Sequence, residues 1–137
     1  MTHSRKVKAN HPLIVKLHEK CLLFPETYQK EAWGEATYRV NKGTMFAMTD
    51  CNHHGSGHIA VWVKAAPLVQ PELVERDPNA YFVPPYMGPK GWVGVKLNTR
   101  TRWKELERLL QDAYLMSAPI RLRKALEESQ TRESSNA

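Results

Sequence analysis

The spacing of apolar residues changes twice along the chain, from helical at the start to strand-like in the middle and back to helical. Near the start, Asn10 and Pro12 suit the cap and first turn of a helix, which the pattern predicts over about residues 11–23. Near the end, Thr101 can cap a helix that stops before Pro119, and a last short helix is predicted over residues 121–128. The two apolar stripes comprise Leu13, Leu17, Cys21 and Phe24, and Trp103, Leu106, Leu109, Leu110 and Ala113.

The middle of the chain consists of short runs rich in β-branched and aromatic residues. These runs cover residues 28–32, 37–41, 45–49, 58–64 and 92–97, with turn residues between them. A short helix around residues 70–77 is expected to connect the last two strands. Because the strands do not alternate with long helices, the predicted fold is α+β. We expect a two-layer sandwich, in which the N- and C-terminal helices cover one face of an antiparallel sheet of about five strands.

Composition places most of the chain in a single domain. Residues 1–9 lack an apolar pattern and are predicted to form a flexible basic arm, residues 10–128 a single domain, and residues 129–137 a disordered tail. Two cysteines give no disulfide framework, and Lys16 interrupts the only early apolar run, so neither a signal peptide nor a membrane span is predicted. We therefore expect a cytoplasmic protein.

Period-two alternation assigns the sheet face that the helices leave open. If Ile59, Val61 and Val63 point inward, Trp62 and Lys64 point outward, and the same reasoning places Trp92 and Lys96 outward. Arg39 is expected to share this outer face. The chain holds 20 Lys and Arg against 14 Asp and Glu, a net charge of +6. A face with cations and aromatic rings suits phosphates and bases, but two tryptophans can equally be covered by the C-terminal helix or by a second subunit.

The loop at residues 50–58 is the one candidate metal site that the sequence offers. It contains Cys51, His53, His54 and His58, which are zinc and nickel ligand types. Their spacing matches no usual structural zinc pattern, and adjacent histidines in a glycine-rich loop are commonly solvated. No hydrolase, P-loop or zinc-peptidase motif occurs elsewhere. We therefore predict no metal, no cofactor and no enzymatic activity.

The loop at residues 86–92 and the strand after it, together with four earlier segments, resemble the MmcQ/YjbR-like family. The shared positions are Phe24 and Pro25, Trp33 and Gly34, residues 37–40 and 45–47, Tyr86, Met87 and Gly88, and Gly91, Trp92 and Val93. The resemblance implies an α+β fold similar to that of the bacterial frataxin homologue CyaY, and a DNA-binding protein with a double-wing motif. It assigns structural roles to Trp33, Gly34, Tyr86, Gly88 and Gly91. Pro89 stands where similar sequences often have a basic residue, and the histidine-bearing loop looks longer than usual.

The leading hypothesis is a non-enzymatic DNA-binding protein, or more broadly a nucleic-acid-binding protein, that uses the basic and aromatic sheet face. The candidate contact residues are Arg39, Lys42, Trp62, Lys64, Lys90, Trp92 and Lys96. One alternative is a protein-interaction module, such as a homodimer that buries the same tryptophans. Another is a small-ligand-binding domain with a pocket beside the loop at residues 86–92. Exposure of Trp62 and Trp92 would favour the first hypothesis, whereas burial would make these rings part of the core.

Overall fold

The computed structural model describes residues 11–51 and 58–135, which form four helices and one six-stranded sheet. The elements, in chain order, are α1 (Pro12–Cys21), β1 (Thr27–Ala32), β2 (Glu35–Val40), β3 (Thr44–Cys51), β4 (Ile59–Val63), α2 (Val69–Arg76), β5 (Tyr81–Phe82), β6 (Val93–Lys96), α3 (Trp103–Ser117) and α4 (Ile120–Ser135). Neighbouring strands are antiparallel, in the order β1-β2-β3-β4-β6-β5. The predicted α+β sandwich is confirmed. The additional strand, β5, has two residues, too few to show a period.

The helix starts differ from the sequence-based prediction by one or two residues. Asn10 lies outside the described residues, and the cap of α1 is His11, whose Nδ1 accepts a hydrogen bond from the Leu13 amide at 3.2 Å. The α3 helix follows Arg102, which makes no side-chain cap. Thr101 was expected to cap this helix, but its hydroxyl accepts from the Asn98 amide and donates to the Lys96 carbonyl. The hydroxyl stabilises the turn before α3 instead.

The C-terminal helix is longer than the sequence pattern predicted. It continues to Ser135, so residues 129–135 are helical where a disordered tail was expected. Leu122 and Leu126 are buried against the core, and Gln130 donates a side-chain hydrogen bond of 2.8 Å to Gln111 of α3. The exposed residues 129–133 thus continue the helix of the buried Leu122 and Leu126, with the Gln130–Gln111 hydrogen bond as their described contact with α3. The predicted arm at residues 1–9 lies outside the described residues.

The main core lies between the sheet and the helices α1, α3 and α4. A register shift between Tyr38 and Arg39 marks a β-bulge, and Phe46 and Ala47 are both fully buried at this point. Phe24 stacks on Tyr114 with ring centroids 4.9 Å apart, and Phe46 meets both rings edge-on. The Tyr114 hydroxyl donates to the Pro25 carbonyl at 2.9 Å. This aromatic group attaches α3 to the segment that links α1 to β1.

A second apolar layer covers the centre of the opposite face of the sheet. Its buried members are Met48, Trp62 and Trp92, against which Met45, Phe82 and Met87 pack. Phe82 lies directly over Gly94 of β6, where an added Cβ would come within 2.3 Å of its ring. The absence of a side chain at Gly94 thus lets an aromatic ring lie flat on the strand. We call this set of six side chains the second layer.

Candidate nucleic-acid interface

Trp62 and Trp92 lie on the outer face of the sheet, as alternation predicted, but neither ring is open to solvent. Their exposed fractions are 2% and 3%. The Trp62 indole donates to Asp50 Oδ2 at 3.2 Å, and Phe82 and Met87 pack against the second layer. Among the described residues, Met45, Phe82 and Met87 pack over these rings, and no residue of the C-terminal helix belongs to this layer. The expectation that these two rings form an open stacking surface is therefore wrong.

The candidate cations lie at two ends of the sheet and on two faces. Arg39 is on the outer face, and Lys42 lies exposed in the β2–β3 turn. Lys96 is at the opposite end of the sheet, because it pairs with Ala60 across β4 and β6. Lys64 does not point outward: its ammonium donates to Ser117 Oγ of α3 at 3.0 Å, on the helical side. The chain leaves the sheet after Val63, so strand alternation no longer determines the direction of Lys64.

Sequence reasoning missed two residues of β1, Tyr28 and Lys30, which lie beside Arg39. Tyr28 is directly opposite Arg39, and Lys30 is opposite Thr37, whose hydroxyl donates to the Lys30 carbonyl. Tyr28 is 38% exposed, and its hydroxyl lies 3.5 Å from where a Cβ on Gly43 would be. We use the name β1 patch for Tyr28, Lys30, Arg39 and Lys42.

The turn between β1 and β2 determines which face of the sheet carries the β1 patch. Trp33 and Gly34 both have positive φ values, 54° and 76°, as the two central residues of a type I′ turn require. This two-residue turn pairs Ala32 with Glu35, and every later pair of the hairpin follows from it. The dipeptide Trp33-Gly34 was visible in the sequence. A two-residue turn placed there would have assigned Tyr28 and Lys30 to the face of Arg39.

The β1 patch carries a positive charge that no described acidic side chain neutralises. Lys30, Arg39 and Lys42 form no ion pair with a described carboxylate. Arg39 is held by hydrogen bonds of 3.0 Å from Nε to Thr37 Oγ1 and from Nη1 to the Gly43 carbonyl. Other cations are paired, as in Lys20–Glu107, Arg76–Glu105, Arg102–Asp77 and Arg121–Glu26. The Arg121 guanidinium lowers the pKa of the Glu26 carboxyl.

The structure separates the two described members of the candidate metal set. Cys51 is fully buried in the main core, whereas His58 lies near the outer face, with Nε2 3.0 Å from Asp50 Oδ2. His53 and His54 lie outside the described residues. Within residues 11–51 and 58–135, no group of three or more His, Cys, Asp or Glu side chains is placed to hold a metal ion. The second cysteine of the chain, Cys21, is likewise buried, and this burial raises the pKa of its thiol.

The glycines of the loop at residues 86–92 have backbone roles. An added Cβ on Gly88 would lie 2.5 Å from the Val83 side chain, and Gly91 has a φ of 85°. The Gln70 side chain of α2 donates to the carbonyls of Gly88 and Trp92 at 2.9 and 2.6 Å. These contacts fix both ends of the glycine-containing turn. The exposed Tyr86 has a φ of 65° within the same loop.

This fold matches known proteins at two levels. The family model described as YjbR matches residues 22–116, which include the whole sheet and all but the last residue of α3. The chain belongs to the YjbR family. A solved structure, that of the Deinococcus radiodurans protein DR2400 with a DUF419 domain, is similar to this YjbR-family chain with a TM-score of 0.68 and 22% identity. The match covers 83% of this chain and 87% of the other, and it shows a shared fold.

Two further comparisons complete the description of this YjbR-family chain. No curated protein matches it in sequence. Among the helices of the described residues, none combines the length and apolar character that crossing a membrane requires.

Proposed function

We propose that this YjbR-family chain binds single-stranded nucleic acid through the β1 patch, without catalysing a reaction. The observation that carries the proposal is the pairing of the partly exposed Tyr28 with Arg39, in a surface whose cations have no described carboxylate partner. Lysine and arginine neutralise phosphates, and an exposed aromatic ring can stack on an unpaired base. The family resemblance, which implies DNA binding, supports the same class of ligand.

The arrangement of the patch favours single strands over duplex. Tyr28 lies on an edge strand, next to a turn, so a base can approach its ring from the side that no other strand occupies. Arg39 is already held by two hydrogen bonds, and its Nη2 makes none with a described residue. Pre-positioning a guanidinium reduces the entropy that binding must remove. The patch therefore offers an aromatic ring beside the hydrogen-bonded guanidinium of Arg39 and the exposed ammonium groups of Lys30 and Lys42.

Salt dependence measures the electrostatic part of this binding. If Lys30, Arg39 and Lys42 each neutralise one phosphate, log K should fall against log salt with a slope of about −2.1 for single-stranded DNA. Fluorescence anisotropy of a labelled oligonucleotide measures the slope. Lys30→Glu with Lys42→Glu should weaken binding more than about tenfold and make the slope shallower. Tyr28→Leu should weaken binding by about 1–3 kcal/mol per stacked base and leave the slope unchanged.

The matched control makes an equal change in net charge at two lysines outside the β1 patch. Lys104 of α3 and Lys124 of α4 are exposed and form no described ion pair, so Lys104→Glu with Lys124→Glu alters the net charge equally. We expect this control to retain most of the affinity. An equal loss in both double variants would show that net charge alone governs binding, and a slope near zero for the unmodified chain would refute the proposal.

The alternative of a homodimer through the tryptophan-bearing face needs Trp62 and Trp92 to be accessible to a partner. Phe82 and Met87 already occupy the surface of Trp62 and Trp92 that a partner would need. We therefore do not propose this alternative.

A further inference from the structure

A groove lies between α3, α4 and the segment that connects β4 to α2. Its volume of about 480 Å³ is in the range of small-molecule sites. Its lining combines apolar side chains, among them Val69, Leu109 and Met116, with the charged groups of Lys64, Asp112, Arg123 and Glu127. The groove is separate from the β1 patch, with which it shares no residue.

Lys64 brings a positive charge into this groove without a counter-ion among the described residues. Its ammonium is half-buried and donates to Ser117 Oγ at 3.0 Å. The Ser117 hydroxyl in turn donates to the Ala113 carbonyl at 2.9 Å, so it serves Lys64 only as a neutral acceptor. Burial lowers the pKa of Lys64, and the nearby charge of Lys90 lowers this pKa further. An anion bound beside Lys64 would raise this pKa again, because it favours the charged form of the ammonium.

A strained, exposed leucine, Leu68, lies in the turn between Ala66 and Val69, two residues that line the groove. Leu68 follows Pro67 and has a φ of 75° and a ψ of −12°, and the Val69 amide donates to the Ala66 carbonyl at 3.2 Å. This is the geometry of a type II turn, in which glycine is favoured at the position of Leu68. The side chain is 78% exposed, so burial gives no compensation for the strain of about 1–2 kcal/mol. Non-glycine residues with positive φ occur often at ligand-binding positions as well as in turns.

We propose that this groove binds a small amphipathic carboxylate, such as a medium-chain fatty acid. The carboxylate pairs with Lys64, and the apolar chain lies against Val69, Leu109 and Met116, with Leu68 at the rim. Asp112 and Glu127 also line the groove together with Arg123, so its lining carries two positive and two negative side chains. With no net charge in this lining, a ligand with one negative group for Lys64 and an apolar body fits it better than a doubly charged head group such as a phosphate monoester.

Calorimetric titration with octanoate tests the charge and apolar requirements separately. Octanol and octylammonium have the same chain with a neutral or a positive head. We expect octanoate to bind at least tenfold more tightly than octanol, and octylammonium to bind more weakly than octanol. Equal affinities for octanoate and octanol would overturn the role of Lys64, and no binding of octanoate would overturn the site.

Two variants separate the head-group contact from the apolar contact. Lys64→Met should reduce octanoate affinity to that of octanol, with Lys104→Met, at an exposed site on α3, as the matched control. Leu68→Gly should weaken octanoate and octanol alike by severalfold while it raises the melting temperature, because glycine relieves the turn strain. A loss of binding with a lowered melting temperature in Leu68→Gly would instead indicate a structural role and contradict the proposal.

Octanoate affinity should also depend on pH. Lys64 carries its charge below its lowered pKa, so affinity should fall as the pH rises through that value, which lies below the pKa of an ordinary lysine. The other charged groups around Lys64 are Lys90, Asp112, Arg123 and Glu127. Lys90→Gln should shift the fall in affinity to higher pH, since it removes the neighbouring charge. A pH dependence that Lys90→Gln leaves unchanged would contradict the proposed contact. Lys64→Met should retain single-stranded DNA binding, so each site can fail without the other.

Discussion

Glu35 shows at the scale of one residue how a buried charge is accommodated in this sheet. Its side chain is 2% exposed, although it follows a turn and would be expected to face solvent. The Thr49 hydroxyl donates to Oε1 at 2.8 Å, and the Cys51 amide donates to both carboxylate oxygens at 3.1 Å. The Glu35 carboxylate therefore accepts the hydrogen bond of the Cys51 amide at the end of β3, where the backbone pairing with β2 has stopped.

Replacing Glu35 should destabilise the protein more than replacing an exposed acid nearby. Glu35→Ala leaves the Cys51 amide without this acceptor, which should cost about 1–3 kcal/mol of unfolding free energy. Urea unfolding followed by circular dichroism measures the change. Glu31→Ala, on the exposed strand β1, is the control and should change the midpoint little. Equal midpoints for the two variants would contradict the role assigned to Glu35.

At the scale of elements, the β1–β2 hairpin decides whether the β1 patch exists. A shift of one residue in the pairing would move Tyr28 and Lys30 to the helical side of the sheet, away from Arg39. The turn prevents this shift, because only residues that accept positive φ fit its two central positions. Trp33 is an unfavourable choice there, since a bulky side chain in the left-handed region is strained.

Trp33→Asn should therefore stabilise the hairpin. Asparagine tolerates positive φ and forms, with Gly34, the preferred dipeptide of a type I′ turn, so we expect an increase of up to about 1 kcal/mol in unfolding free energy. Gly34→Ala should lower the unfolding free energy by about 1 kcal/mol, because alanine fits a positive φ less well than glycine. Thermal unfolding measures both changes, and a lower melting temperature for Trp33→Asn would show that the exposed indole has a stabilising contact.

At the scale of the whole molecule, the sheet is covered on both faces. The helices cover one face, and residues 82–92 complete the second layer over the centre of the other. The edge strand β1 lies outside this cover, and its middle residues are exposed. The exposed aromatic and charged side chains of the outer face therefore lie at the edge of the sheet and not at its centre.

Trp92→Leu tests whether the second layer is core or binding surface. We expect a loss of about 2–4 kcal/mol of unfolding free energy, somewhat less than truncation of a buried tryptophan to alanine costs. The affinity of the folded protein for single-stranded DNA should not change. Trp33→Leu, at an exposed tryptophan, is the control for the mutation type. A large loss of DNA affinity in Trp92→Leu with unchanged stability would assign Trp92 to the interface.

The sequence by itself determined the elements that have a local cause. Helical periodicity located α1 and α3, alternation placed Trp62, Trp92 and Arg39 on the outer face, and the connecting helix was found within one residue of α2. The motif around residues 86–92 indicated the family, which the match over residues 22–116 confirms. Each of these features depends on spacing within a short segment, where the backbone's own geometry decides the outcome.

Only the tertiary structure decided which of these side chains are accessible. Phe82 and Met87 cover the tryptophans, Ser117 binds the Lys64 ammonium on the helical side, and α4 continues beyond residue 128, where Gln130 contacts Gln111 of α3. The partners in these contacts are far apart in sequence, as Lys64 and Ser117 are, and no local period encodes them. Accessibility depends on which distant segment covers a residue, and this is why the candidate interface moved from the tryptophans to Tyr28, Lys30, Arg39 and Lys42.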